Sequence, residues 1–73
     1  MASAHVVPNS TRWDAKGDGS LISSEQTQAQ AIDVARKWLQ RNGGGELSIH
    51  GLDGKVRQKD TVYPGNDPRN IRG

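Results

Sequence analysis

One long stretch of this chain has an unambiguous period. Thr27 to Asn42 reads T-Q-A-Q-A-I-D-V-A-R-K-W-L-Q-R-N. At about 100° per residue, Ala31, Ile32, Ala35, Trp38 and Leu39 fall in one apolar stripe. Asp33, Arg36, Lys37, Gln40 and Arg41 fall on the other side. Thr27, followed three residues later by Gln30, forms a capping box that starts a helix. Asn42 and the three glycines after it supply the stop. A lone helix cannot bury its own stripe, so the rest of the chain must provide a surface that covers it.

That surface reads as strands. Ala4-His5-Val6-Val7-Pro8 is a short β-like run, and Asn9-Ser10 is a turn signal. Thr11 to Lys16 alternates, with Thr11, Trp13 and Ala15 on one face and Arg12, Asp14 and Lys16 on the other. Gly17-Asp18-Gly19 turns the chain into Ser20-Leu21-Ile22-Ser23, a third strand that leads to the helix cap. After the helix, Glu46 to His50 alternates again, with Leu47 and Ile49 inward. Asp53-Gly54 is a strong hairpin cue, and Lys55-Val56-Arg57 is the return strand. From Gln58 the alternation stops, and Pro64-Gly65-Asn66-Asp67-Pro68 reads as irregular coil. The expected architecture is α+β, in the order β-β-β-α-β-β, with a small antiparallel sheet and one helix packed on one face. The domain is expected over residues 4–63, with an irregular tail over 64–73. The second sheet face should remain open, and a binding surface is expected there.

Composition narrows the function classes. Hydrophobic residues make up 32% of the 73, so the core is thin and a homodimer or a bound protein partner becomes more plausible. The absence of cysteine excludes disulfide scaffolds, thiolate zinc sites and thiol catalysis. Met1 to Pro8 has no basic segment leading into an apolar run, so no signal peptide is expected and the expected location is cytoplasmic. Nothing approaches the roughly 18 apolar residues of a membrane span, so no membrane partner is expected. A net charge of +2 permits nucleic acid without requiring it.

Four constellations bear on chemistry. Asp14 to Glu25 matches a calcium-binding EF-hand loop at Asp14, Asp18, Gly19 and Glu25, with Leu21 at the aliphatic position. Lys16 stands where a ligand belongs, and the preceding segment carries no helix signal; the competing reading is a plain hairpin. His5 and His50 both lie on strands, out of phase with the inward residues, and could meet across a sheet to share a proton or a metal. Gly43-Gly44-Gly45 follows a helix instead of preceding one, so it is a helix stop and no phosphate loop. No nucleophile–base pair is suggested, so the chain is expected to be no enzyme, with no cofactor, no resident metal and no small-molecule substrate. The fourth constellation is basic. Arg12 and Lys16 share the outward face of the second strand, and Lys55, Arg57 and Lys59 line the last hairpin. Trp13 either packs under the helix or stands on the open face as a stacking platform. These six residues form the expected nucleic-acid contact, since a small sheet can enter a major groove.

The ordered pieces His5-Val6-Val7-Pro8, Trp13 with Lys16, Thr27-Gln28-Ala29, Ala31-Ile32, Ala35-Arg36, Gly45-Glu46-Leu47, Ile49-His50-Gly51, Asp53-Gly54, Tyr63 and Gly65-Asn66-Asp67-Pro68 form a pattern. It resembles a small bacterial and phage family known as domain of unknown function 2188, from about His5 to Pro68. The resemblance implies a compact β/α domain and brings no established activity. Asp14 and the Gly-Asp-Gly turn lie outside the shared pattern, which weakens the calcium reading further. A looser likeness, at the level of fold, is to the arm-binding domains of phage integrases, whose three-stranded sheet reads DNA. The leading expectation is a non-enzymatic module that binds DNA through the open sheet face. The alternative is a protein-binding accessory or inhibitor, of phage derivation for example, acting on a host or partner protein. Calcium binding at Asp14–Glu25 is the remote third.

Overall fold

A computed structural model describes residues 2–65. Its elements are β1 (Ala2–Asn9), β2 (Arg12–Gly17), β3 (Ser20–Glu25), α1 (Gln28–Arg41), β4 (Gly45–His50) and β5 (Val56–Val62). The strands form one sheet in the order β3-β2-β1-β4-β5, with α1 packed on one face. The α+β class and the order β-β-β-α-β-β are those the sequence predicts.

The helix begins at a Thr27 cap, the first half of the expected capping box. Thr27 is extended, and its Oγ1 accepts the Gln30 amide at 3.1 Å. At the other end the Asn42 amide donates to the carbonyls of Trp38 and Leu39, and its Nδ2 donates to Trp38 O at 2.7 Å. Ala31, Ala35 and Leu39 are fully buried against Ala4, Val6, Ala15 and Leu47 of the sheet. Trp13, Ile22, Ile32, Val34 and Trp38 close the rim of this core. Small residues at both contact surfaces let helix and sheet approach closely. Gly17 is the tightest point, where a Cβ would lie 2.6 Å from Cζ2 of the Trp38 indole.

The sheet differs from expectation in one pairing. β1–β2, β2–β3 and β4–β5 are antiparallel, but β1 and β4 run parallel, from Ala2 beside Gly45 to Val6 beside Ile49. Direction explains it. Three strands joined by hairpins leave β3 pointing the same way as β1, and one helix returns the chain to start β4 in that direction again. β4 is parallel to whichever of them it joins. It joins β1 because β1 carries the buried Ala2, Ala4 and Val6 and gains cover on both sides, whereas β3 is half-exposed along its length.

Two bulges adjust the edges. Ala15 pairs with Ser23 and Lys16 with Leu21, leaving Ile22 as an extra residue on β3. Ile49 pairs with Gln58 and His50 with Val56, leaving Arg57 as the extra residue on β5. β5 also runs to Val62, five residues past the expected end at Arg57. Val62 pairs with Gly45 and is buried. Pro64 and Gly65 are irregular, and the Gly65 amide donates to Gln40 O at the end of the helix. The remainder of the expected tail, residues 66–73, lies outside the described residues.

Candidate functional site

Strand alternation fixes which side chains face away from the helix. On β2 these are Arg12, Asp14 and Lys16, in register with Asn9, Val7 and His5 of β1. On β4 they are Glu46, Ser48 and His50, and on β5 they include Lys59 and Thr61. One row crosses four strands: Lys16 lies beside His5, His5 beside Ser48, and Ser48 beside Lys59. At about 4.8 Å per strand, Lys16 and Lys59 stand about 14 Å apart at the backbone. Neither makes an ion pair among the described residues, where the pairs are Arg36 with Asp60 (3.7 Å) and Lys37 with Asp33 (3.1 Å), all on helix α1 or the sheet side it covers.

The centre of the face holds a pair of imidazoles. His5 Nδ1 and His50 Nε2 are 3.0 Å apart. His50 Nδ1 lies 2.8 Å from Gly54 O. A carbonyl only accepts, so His50 Nδ1 carries the proton and His50 Nε2 presents its lone pair to His5. His5 Nδ1–H then donates to it. Gln28 at the helix start donates from Nε2 to His50 O at 3.3 Å, tying this end of β4 to α1.

On the same face of β2, opposite Val7, sits Asp14, 7% exposed despite facing the side without a helix. Its Oδ2 accepts Asn9 Nδ2 at 3.0 Å, and its Oδ1 has no partner among the described residues. Arg12 is anchored at the edge, with Nε donating to Ser24 Oγ at 3.1 Å and Nη2 to Ser24 O at 2.8 Å. Ser48 is also buried, between His5 and Lys59.

The six expected contact residues divide. Arg12, Lys16 and Lys59 share the uncovered face. Arg57 occupies the β5 bulge, its side chain lying against Gly51, and Lys55 sits in the β4–β5 connection. Trp13 does not join them. It pairs with Pro8 in phase with Ala15 and Gly17, on the helix side, and packs against the core. The stacking-platform reading of Trp13 is therefore withdrawn, and the packing reading holds.

The EF-hand-like stretch is a hairpin. Glu25 is in register with Trp13, and Ser24 with Asp14, so the carboxylates of Asp14 and Glu25 leave the sheet on opposite faces and cannot converge on one ion. Glu25 instead accepts the Ser23 hydroxyl, and Asp18 Oδ1 accepts the Ser3 amide at 3.2 Å. Among the described residues no three His, Cys, Asp or Glu gather as a metal cage, and no pocket opens. No helix there is long and apolar enough to cross a membrane.

The phase of both histidines was readable from strand alternation, and so was that of Ser48. Their adjacency was not, because it depends on β4 lying beside β1. Burial of Asp14 and Ser48 gave no signal in the sequence.

No curated protein and no solved structure gives a significant match to the chain. A family model described as an uncharacterised protein conserved in bacteria matches residues 4–62, from within β1 to the last residue of β5. The chain therefore belongs to the bacterial family called domain of unknown function 2188.

Proposed function

We propose that this domain is a non-enzymatic nucleic-acid-binding module that meets the DNA backbone with the sheet face opposite α1. The observation that carries the reading is the row Lys16–His5–Ser48–Lys59, polar or basic at every position and, among the described residues, without an ion pair to either lysine. Its span of about 14 Å is comparable with the roughly 12 Å width of a B-DNA major groove. With Trp13 turned to the core, the reading rests on charge and not on base stacking, and duplex DNA held by its phosphates is the ligand it favours. Arg12 extends the basic surface at one edge, and Arg57 and Lys55 extend it at the other.

Fluorescence anisotropy with a labelled duplex at about 50 and 200 mM salt tests this. Binding should weaken steeply between the two, and K16A/K59A should lower the slope of log affinity against log salt by about 2. Absence of duplex binding at the lower salt removes the reading.

A second reading rests on a separate observation. Leu52 and Val56 are exposed beside the outer edge of β5, which has no strand partner among the described residues. These suit a protein partner that adds a strand there. In that case a defined partner captured by cross-linking would be lost in L52D/V56D and kept in K16A/K59A.

A further inference from the structure

From the His5–His50 pair we infer a binding site for a divalent transition-metal ion, held by His5 Nδ1 and His50 Nε2 in place of the proton they now share. The inference is independent of the nucleic-acid reading.

Three features carry it. The first is distance. Two imidazoles on one tetrahedral zinc, with Zn–N about 2.0–2.1 Å, place their ligating nitrogens about 3.3 Å apart and their ring centroids about 5.2 Å apart. Here the nitrogens are 3.0 Å apart and the centroids 5.3 Å apart. The centroids already have the required separation. Side-chain rotation must still swing the two nitrogens from facing each other to facing a common point, and the Gly54 carbonyl must follow His50 Nδ1 as its ring turns.

The second feature is the outer contact. Histidines that ligate metals characteristically donate their other ring N–H to a carbonyl or carboxylate, which fixes the tautomer and raises the basicity of the ligating nitrogen. His50 has this arrangement, through Nδ1 to Gly54 O at 2.8 Å. The positive-φ Gly54 and the hydrogen bond from its amide to Gly51 O set that carbonyl within the β4–β5 turn. The third feature is rigidity. His5 lies on the central strand between β2 and β4, and the backbone carbonyl of His50 is tied to Gln28, so the two Cα atoms are held in a fixed relation.

Two protein nitrogens leave the remaining coordination positions to water or an incoming ligand. Imidazole donors select zinc, copper and nickel over calcium and magnesium, and the order of affinities puts Cu²⁺ first. On binding, His5 changes tautomer: Nδ1–H gives its proton to solvent, Nε2 takes one up, and the metal takes the freed Nδ1 lone pair. His5 stays a neutral imidazole, no net proton is released, and no oxidant or reductant takes part. Lys16 and Lys59, on either side in the same row, oppose the added charge and limit affinity.

The test uses the full chain, stripped of metal and titrated with Zn²⁺ and Cu²⁺ by calorimetry. One ion per chain is expected, with affinity reduced at least about tenfold in H5A and in H50A. The ring resonances of His5 and His50 in the unmodified protein should move together on Zn²⁺ addition, and this reading does not depend on whether either variant folds. Absence of saturable binding by either ion overturns the inference. So does wild-type affinity in H50A, or a Zn²⁺ titration that leaves either ring unmoved.

Discussion

At the scale of single residues, Gly17 decides how near the helix can come to β2. The Trp38 indole lies where a side chain would begin, and any Cβ there must displace a ring that helps close the core. G17A is expected to lower stability by about 1–3 kcal/mol, read as a shift in the urea midpoint at constant m-value. Asp14 makes the opposite case. Its buried Oδ1 lacks a partner among the described residues, so the carboxylate carries a desolvation cost that its single bond from Asn9 does not offset. D14V should leave stability unchanged or raise it by up to about 1 kcal/mol, because valine suits a strand position between Val7 and Ser24. A loss of more than about 1 kcal/mol would mean that Oδ1 is satisfied in solution. The outward phase of Asp14 was legible from the alternation of Arg12, Asp14 and Lys16. Its burial was not, since that depends on flanking strands whose identity alternation does not reveal. Trp13 was open to either face when read from its own hydropathy. Gly17, which shares its phase, lies beneath the Trp38 indole and marks that face as the helix side.

Among the elements, α1 was the most legible, from Thr27 to the glycines after it. T27A removes the acceptor for the Gln30 amide and should cost about 0.5–2 kcal/mol, measured by thermal or urea unfolding. The sheet was legible in its strands and less so in its pairings. A chain of three hairpin-linked strands, one helix and a strand places β4 parallel to β1 or β3, whichever it joins. β5 illustrates a different limit. Its residues Arg57-Gln58-Lys59-Asp60-Thr61 show no apolar alternation, because an edge strand with an exposed outer side has little to bury. What holds it is the hydrogen-bond ladder to β4 and the buried Val62 at its end. Hydropathy has no access to either. Bulges at Ile22 and Arg57 are equally silent in the sequence, though each changes which side chains flank the uncovered face.

Taken whole, the molecule separates its charges by side. On the helix, Arg36 and Lys37 are paired with Asp60 and Asp33, whereas Lys16 and Lys59 on the far face have no ion pair among the described residues. If binding is by that face, K37A should leave duplex affinity within about twofold and K59A should weaken it several-fold at low salt, in the same anisotropy assay. Equal losses in both variants would point to diffuse attraction by net charge. The parallel contact between β1 and β4 has a kinetic consequence. The β1–β2–β3 meander and the β4–β5 hairpin each close over short loops, but the seam between them joins residues far apart in the chain. Closing it carries the largest entropic cost of loop formation, so it is expected to be the late and slow step of folding. Until then the strand destined for the middle of the sheet shows a bare edge to other chains, and a nascent or truncated chain lacking Gly45–His50 is the form in which aggregation should begin.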